Sequence, residues 1–91
     1  MYTIITPLSF LRTAKKFFKY HPDLKDRFKD IVTLLQDNPH APALKMHALS
    51  GKLAGIHAIR LTYQYRITLI VKITQNEIVL LDIGSHNDIY R

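Results

Sequence analysis

Histidine is the side chain in this sequence best suited to proton transfer at neutral pH, and the chain contains five. Imidazole titrates near pH ~6.5, so it can act as a general acid or a general base. His47 and His86 each lie in a polar segment beside a predicted strand, close to glycine and basic residues, and are the candidates for catalysis. His21 and His40 adjoin prolines in predicted loops, and His57 lies in a predicted strand on the same face as Ile59, so surface positions are expected for the first two and a packed or edge position for His57.

Two histidines combined with arginines suit the cleavage of RNA by its own 2′-hydroxyl, which needs no metal. A base takes the proton of the 2′-hydroxyl, an acid protonates the leaving 5′-oxygen, and cations stabilise the charge at phosphorus. Arg60 and Arg66 suit the last role, because the planar guanidinium matches phosphate oxygens. Exposed aromatic rings can stack on RNA bases, and Tyr63, Tyr65 and Tyr90 are available.

Other reaction classes leave patterns that this sequence lacks. Cysteine is absent, which excludes disulfide frameworks, thiolate zinc sites and cysteine nucleophiles. There is no HExxH motif, phosphate-binding loop or GxSxG motif. Asp23, Asp26 and Asp30 share one predicted helix at spacings that fit caps and solvated pairs better than a metal site. We therefore expect neither a metal site nor a cofactor.

The size and charge of the chain indicate one small basic domain. Its 91 residues predict a single domain, 1–91. Thirteen Lys and Arg against seven Asp and Glu give a net charge of +6, which favours polyanions or an acidic partner protein. No apolar run is long enough to cross a bilayer and no secretory signal is visible, so a cytoplasmic protein without membrane contact is expected.

The residues that could do chemistry must be positioned by two helices and four strands. Residues 2–6 predict a strand, and a helix with Thr6 or Ser9 as N-cap is predicted to run to about Tyr20. Its apolar positions are Leu8, Leu11, Ala14, Phe17 and Phe18. A second helix is predicted over residues 24–36, with Asp23 as N-cap. Its apolar stripe is formed by Leu24, Phe28, Ile31 and Leu35.

Three strands are predicted after the helices, over residues 56–63, 65–73 and 77–83. The first two alternate, with Arg60, Arg66 and Thr68 on one face, and the third is apolar on both faces, as a central strand would be. The order β-α-α-β-β-β predicts an α+β fold in which a helix hairpin covers one face of a small, mostly antiparallel sheet. The other face is expected to be polar, basic and open, and to carry the function.

Three motifs in the second half of the chain resemble a known family. They are H-x-L-x-G-K-L-x-G-x-x-x-I-R-L from His47, Y-x-Y-R-I from Tyr63, and L-L-D-I-G-S-H-N-D-I-Y-R from Leu80. Together with the element order, they resemble the RelE/ParE superfamily of bacterial toxin–antitoxin toxins, most nearly its YafQ branch. The resemblance covers nearly the whole chain and includes the RelE-like fold.

The resemblance implies a ribosome-dependent endonuclease that cleaves translated mRNA, inhibits translation and is neutralised by a cognate antitoxin. It assigns His47 and His86 to the active site, and Tyr90 matches the aromatic residue four positions after the second histidine. Arg60 stands where the YafQ pattern has a further histidine, which leaves the division of acid and base roles open. RelE-like members use arginine and lysine in this region, and Arg60 and Arg66 fit that style.

Four further residues complete the predicted site as RNA-binding residues. They are Lys45, Lys52, Gln64 and Tyr65. The last two stand where the YafQ pattern has aspartate followed by tryptophan.

Two other functions are compatible with the same fold. One is a ParE-like gyrase inhibitor, although such members usually lack the histidine pair, and the other is a catalytically inactive basic binding module. Cleavage of ribosome-bound message would distinguish the endonuclease from both.

A structural role is the alternative to catalysis for His47: the side chain would only pack its loop beneath Lys45 and Lys52.

Overall fold

A five-stranded sheet forms the centre of the molecule in this computed structural model, which describes residues 1–90. The strands are β1 (Thr3–Ile5), β2 (His47–Ala48), β3 (His57–Arg60), β4 (Tyr65–Lys72) and β5 (Glu77–Ser85), in the order β1-β5-β4-β3-β2. β1 pairs with β5 in parallel and the other pairs are antiparallel. The prediction of an α+β fold with a mostly antiparallel sheet is confirmed. Arg91, which ends the third sequence motif, lies outside the described residues.

Two helices, α1 (Leu8–Tyr20) and α2 (Lys25–Asp37), cover one face of the sheet. The Phe10 and Phe28 rings join them, with centroids 6.3 Å apart. The buried core between the helices and the sheet includes Phe10, Ala14, Ile31, Leu35, Ile59, Ile67, Leu69, Ile78, Leu80 and Ile83. Within residues 1–90, no helix is long and apolar enough to cross a membrane.

The predicted start and apolar face of α1 were partly wrong. The N-cap is Pro7, and neither Thr6 nor Ser9 makes a capping hydrogen bond there in the described chain. Leu8 and Leu11 are exposed, whereas Phe10 is buried. Phe10, Ala14, Phe17 and Phe18 form one stripe at helical spacing against the core, and Leu8 and Leu11 lie off it.

The predicted stripe of α2 is confirmed, but its cap is not. Asp23 lies in a 3-10 turn, Pro22–Leu24, and the N-cap of α2 is Leu24, with no side-chain cap in the part of the chain described. Proline at the start of the 3-10 turn fixes the entry to the helix instead. Ile31 and Leu35 are buried as expected.

The strand boundaries differ from prediction where hairpins and short elements intervene. β3 ends at Arg60 rather than residue 63, because Leu61 N–H and Thr62 N–H both donate to Tyr65 O, at 2.9 and 3.1 Å, and close a turn. β4 ends at Lys72 and leaves Ile73 exposed, whereas β5 continues to Ser85. The two-residue β2 and a short helix, α3 (His86–Tyr90), were not predicted.

The sheet face opposite α1 and α2 is less open than predicted. Thr68 is only 5% exposed, and it shares a cavity with Leu53 and Ile56 from the segment after β2 and with Ile89 of α3. The segment after β2, together with α3, therefore covers the middle of this sheet face. What stays accessible is the end of the sheet that carries the arginines.

Candidate active site

Four predicted site residues meet in one cavity of about 260 Å³, formed by Lys45, His47, Arg60 and Arg66. Arg60 of β3 lies directly opposite Arg66 of β4, and directly opposed residues point to the same face of a sheet. The cavity lies on the face away from α1 and α2. It combines one imidazole with three cationic side chains.

Lys45 and His47 are brought to the arginines by an unusual backbone turn and a short strand. Lys45 follows the 3-10 turn Pro42–Leu44 in the left-handed conformation, with φ of 52°. This turn redirects the chain so that β2 can pair His47 with Ala58 of β3. Because β2 is the edge strand and His47 pairs with Ala58, the imidazole lies at the edge of the sheet, two positions along β3 from Arg60.

The hydrogen bond of His47 fixes which ring nitrogen is free. Its Nδ1 lies 3.1 Å from Lys45 O. A carbonyl oxygen only accepts, so Nδ1 must carry the proton in this contact. In the neutral ring, Nε2 then has the free lone pair and can act as a base. His47 is exposed, so this nitrogen can be reached by a ligand.

The arginine pair is electrostatically unsatisfied within the fold. Like charges directly opposite on neighbouring strands are destabilising. Moreover, Arg60 Nε is buried and has no hydrogen-bond partner among residues 1–90. A bound anion would supply an acceptor for that donor and would neutralise the repulsion between Arg60 and Arg66.

The second predicted histidine lies on α3, which a capping box holds in place. Asp88 N–H donates to Ser85 Oγ at 3.2 Å, and Ser85 N–H donates to Asp88 Oδ2 at 3.1 Å. The pattern S-x-x-D was the sequence signal that could have predicted this helix. His86 and Tyr90, one turn apart, have ring centroids separated by 4.3 Å.

A glycine lets α3 approach the sheet on the same face as the arginines. Gly84 lies directly opposite Arg66, and a Cβ added to Gly84 would lie 3.1 Å from Asp88 Cβ. A side chain at this position would push Asp88 away by a few tenths of an ångström. In the strand order, His47 and the α3 pair therefore lie on opposite sides of Arg60 and Arg66, with β2 and β5 about 14 Å apart.

The other predicted RNA-binding residues lie outside the cavity. Lys52 is exposed in a 3-10 turn, Gly51–Leu53, and Gln64 is exposed in the β3–β4 turn. Tyr65 is partly buried, and its ring centroid lies 5.1 Å from that of Phe17 and 4.7 Å from that of His21. Its ring thus packs toward α1, on the side of the sheet that the cavity does not occupy.

The remaining histidines occupy positions unlike those of His47 and His86. His21 is the C-cap of α1 and belongs to the aromatic cluster, and His40 is exposed. His57 is partly buried, and its Nδ1 has no partner in the described part of the chain. No group of three or more histidine or acidic side chains within residues 1–90 is arranged to hold a metal ion.

Comparison with solved structures finds several bacterial toxins, although no family model and no curated protein matches the sequence. A metal-bound toxin from Helicobacter pylori is 30% identical, with a TM-score of 0.81 over 99% of this chain and all of that one. YafQ from Escherichia coli is 18% identical over the full length of both chains, with a TM-score of 0.83. The structure of YafQ in its complex with DinJ is also 18% identical to this chain, with a TM-score of 0.81. A YoeB/ParE toxin from Agrobacterium tumefaciens, 18% identical, has a TM-score of 0.77 over 92% of this chain and 98% of that one.

A helix pair on a five-stranded mixed sheet is the fold that this chain shares with these bacterial toxins. The Helicobacter pylori relative is similar in sequence over nearly its whole length, whereas the likeness to YafQ and YoeB/ParE is one of fold. The chain belongs to the same family of small bacterial toxins as the Helicobacter pylori protein, and it has the RelE-like fold of YafQ and YoeB/ParE.

Proposed function

We propose that this protein is a ribosome-dependent endoribonuclease that cleaves translated mRNA and thereby inhibits translation. The observation that carries the proposal is the His47 imidazole lying in one cavity with Lys45, Arg60 and Arg66. The three cations suit the phosphodiester of RNA, and Nε2 of His47 is available to accept a proton.

The proposed reaction is an attack by the 2′-hydroxyl on the adjacent phosphorus. His47 Nε2 accepts the hydroxyl proton, the O2′–P bond forms and the P–O5′ bond breaks. His86, in its protonated form, gives its proton to the leaving O5′, while Arg60 and Arg66 stabilise the charge on the phosphoryl oxygens. The products are a 2′,3′-cyclic phosphate and a 5′-hydroxyl, and no metal ion takes part in these steps.

Residues around the reacting centre would hold the RNA strand. Tyr90, whose ring adjoins that of His86, would orient the scissile phosphate or stack on a base. Lys52 and Gln64 are exposed and would contact neighbouring nucleotides. Tyr65 would act indirectly, since its ring is already in contact with Phe17.

We also propose that a cognate antitoxin neutralises the protein, as the complex of YafQ with DinJ suggests by analogy. The net charge of +6 favours an acidic segment that becomes ordered on binding. Leu8 and Leu11, exposed on α1, add apolar surface that such a partner could cover. Because its substrate is translated message, the protein would act in the cytoplasm.

Induced expression with primer extension on a reporter message tests the proposal. We expect new 5′ ends within the translated region, and none in a matched message whose start codon has been removed. His86→Ala should abolish these ends while the protein stays folded, whereas His21→Ala should not. Growth arrest without message cleavage would contradict the proposal and would support a gyrase-inhibiting toxin instead.

A further inference from the structure

The tip of the β3–β4 turn presents an aromatic ring to solvent. Tyr63 lies in this turn, residues 61–64, and is 84% exposed. A tyrosine this exposed contributes little to folding, because almost none of its apolar surface is removed from water. Its ring is therefore available for contact with another molecule.

The turn that carries Tyr63 is held by hydrogen bonds from two directions. Thr62 Oγ1 accepts the N–H groups of Gln64 and Tyr65, each at 3.2 Å. From α2, Arg27 Nε donates to Leu61 O at 2.6 Å. An exposed side chain on a fixed backbone loses less entropy on binding than one on a mobile loop.

The ring of Tyr63 also lies next to the candidate active site. Arg60 Cζ is 5.9 Å from the centroid of the Tyr63 ring, within the range of a cation–π contact. Arg60 in turn lines the cavity that contains His47. A phosphate bound by Arg60 would therefore lie beside an exposed aromatic surface.

The other tyrosines near the site already have ring partners. Tyr65 contacts Phe17 and His21, and Tyr90 contacts His86. Tyr20 is 69% exposed but belongs to α1, on the opposite face of the sheet. Among these rings, that of Tyr63 combines high exposure with proximity to the arginine pair.

We propose that Tyr63 is an RNA-binding residue that stacks on a base of single-stranded RNA next to the phosphate bound by Arg60 and Arg66. The inference rests on the proposed function and identifies where that site contacts a base. Aromatic rings bind bases in this way because every base has a π face, and an adjacent arginine strengthens the contact.

A tryptophan reporter tests the contact directly, because the chain contains no tryptophan. Tyr63→Trp should show fluorescence quenching when titrated with a 2′-O-methyl RNA oligonucleotide, which lacks the attacking hydroxyl and is not cleaved. Tyr20→Trp, which makes the same substitution at an exposed tyrosine of α1, should show no quenching.

In anisotropy titrations with the same oligonucleotide, Tyr63→Ala should weaken binding about 5- to 150-fold. Tyr63→Phe, which keeps the ring, should restore most of the affinity.

Two results would overturn this inference. One is binding of the oligonucleotide with no quenching of Tyr63→Trp, and the other is unchanged affinity in Tyr63→Ala. If wild-type protein nevertheless cleaves translated message, the proposed function survives and only the stacking contact is lost. Quenching at Tyr63→Trp without message cleavage by the wild type would support the contact and contradict the nuclease.

Discussion

The candidate site places positive charges where the protein itself does not neutralise them. Arg60 and Arg66 are directly opposed, and Arg60 Nε is buried without a partner among the described residues. Both features cost stability, and a bound phosphate would relieve both. His47, whose Nδ1–H donates to Lys45 O, lies in the same cavity, where its Nε2 would be a base beside such a phosphate.

The first prediction separates function from stability at Arg66. Arg66→Gln removes the like-charge pair, so the free energy of unfolding should rise by roughly 0.2–1 kcal/mol. Cleavage of ribosome-bound message should fall about 10²-fold, because the charge that develops on the phosphoryl oxygens in the transition state loses a hydrogen-bond donor. Urea unfolding and message-cleavage assays measure the two effects.

Lys15→Gln is the matched control, since it removes one exposed positive charge from α1 and should change neither quantity appreciably. If Arg66→Gln loses stability and activity together, Arg66 braces the fold rather than contributing to a phosphate site.

At the scale of secondary structure, periodicity in the sequence predicted the long elements and missed the short ones. The stripe of α2 and the interior position of β5, between β1 and β4, followed from apolar spacing alone. β2 has two residues and exists because it pairs with β3, so no local pattern specifies it. The site depends on these short elements, since β2 carries His47 and α3 carries His86.

Residue types and motif resemblance predicted the members of the candidate site, but not which of them lie together. Lys45, His47, Arg60 and Arg66 do share a cavity, whereas Tyr65 packs toward α1. Tyr65 lies two positions before the buried Ile67 in β4, so the alternation of the strand itself places Tyr65 on the helix-facing side, away from Arg66.

The second prediction concerns the position of α3. Gly84→Ala places a methyl group 3.1 Å from Asp88 Cβ, so Asp88 must give way by a few tenths of an ångström, and we expect α3 to shift with it and to displace His86 and Tyr90. Cleavage should fall by roughly 10- to 10²-fold, because small misplacements of catalytic groups are costly. Cleavage assays and the imidazole NMR signals of His86 measure the effect. A shifted His86 signal at the wild-type cleavage rate would show that this helix position is not needed for the reaction.

At the scale of the whole molecule, the two faces of the sheet are used differently. α1 and α2 bury the core on one face, while the other face carries the basic cavity at its accessible end. The net charge of +6 adds a long-range attraction for polyanions to the local contacts. The core and the candidate site thus lie on opposite faces of the sheet.

The third prediction follows from this charge. Binding of single-stranded RNA should weaken with salt, with a slope of log affinity against log salt of roughly −2 if Lys45, Arg60 and Arg66 each contact a phosphate. Arg60→Ala should make the slope shallower by about 0.7. Anisotropy titrations at several salt concentrations measure both. An affinity that does not change with salt would contradict phosphate binding in the cavity.

The most direct test of the account is the cleavage rate of ribosome-bound message by purified wild-type protein, His47→Ala and His40→Ala. Both histidines are exposed, but only His47 lies in the cavity, so His40→Ala is the matched control. Loss of a general base predicts a fall of about 10²- to 10⁴-fold for His47→Ala, with unchanged thermal unfolding and a wild-type rate for His40→Ala. A folded His47→Ala variant that cleaves message at the wild-type rate would contradict the account.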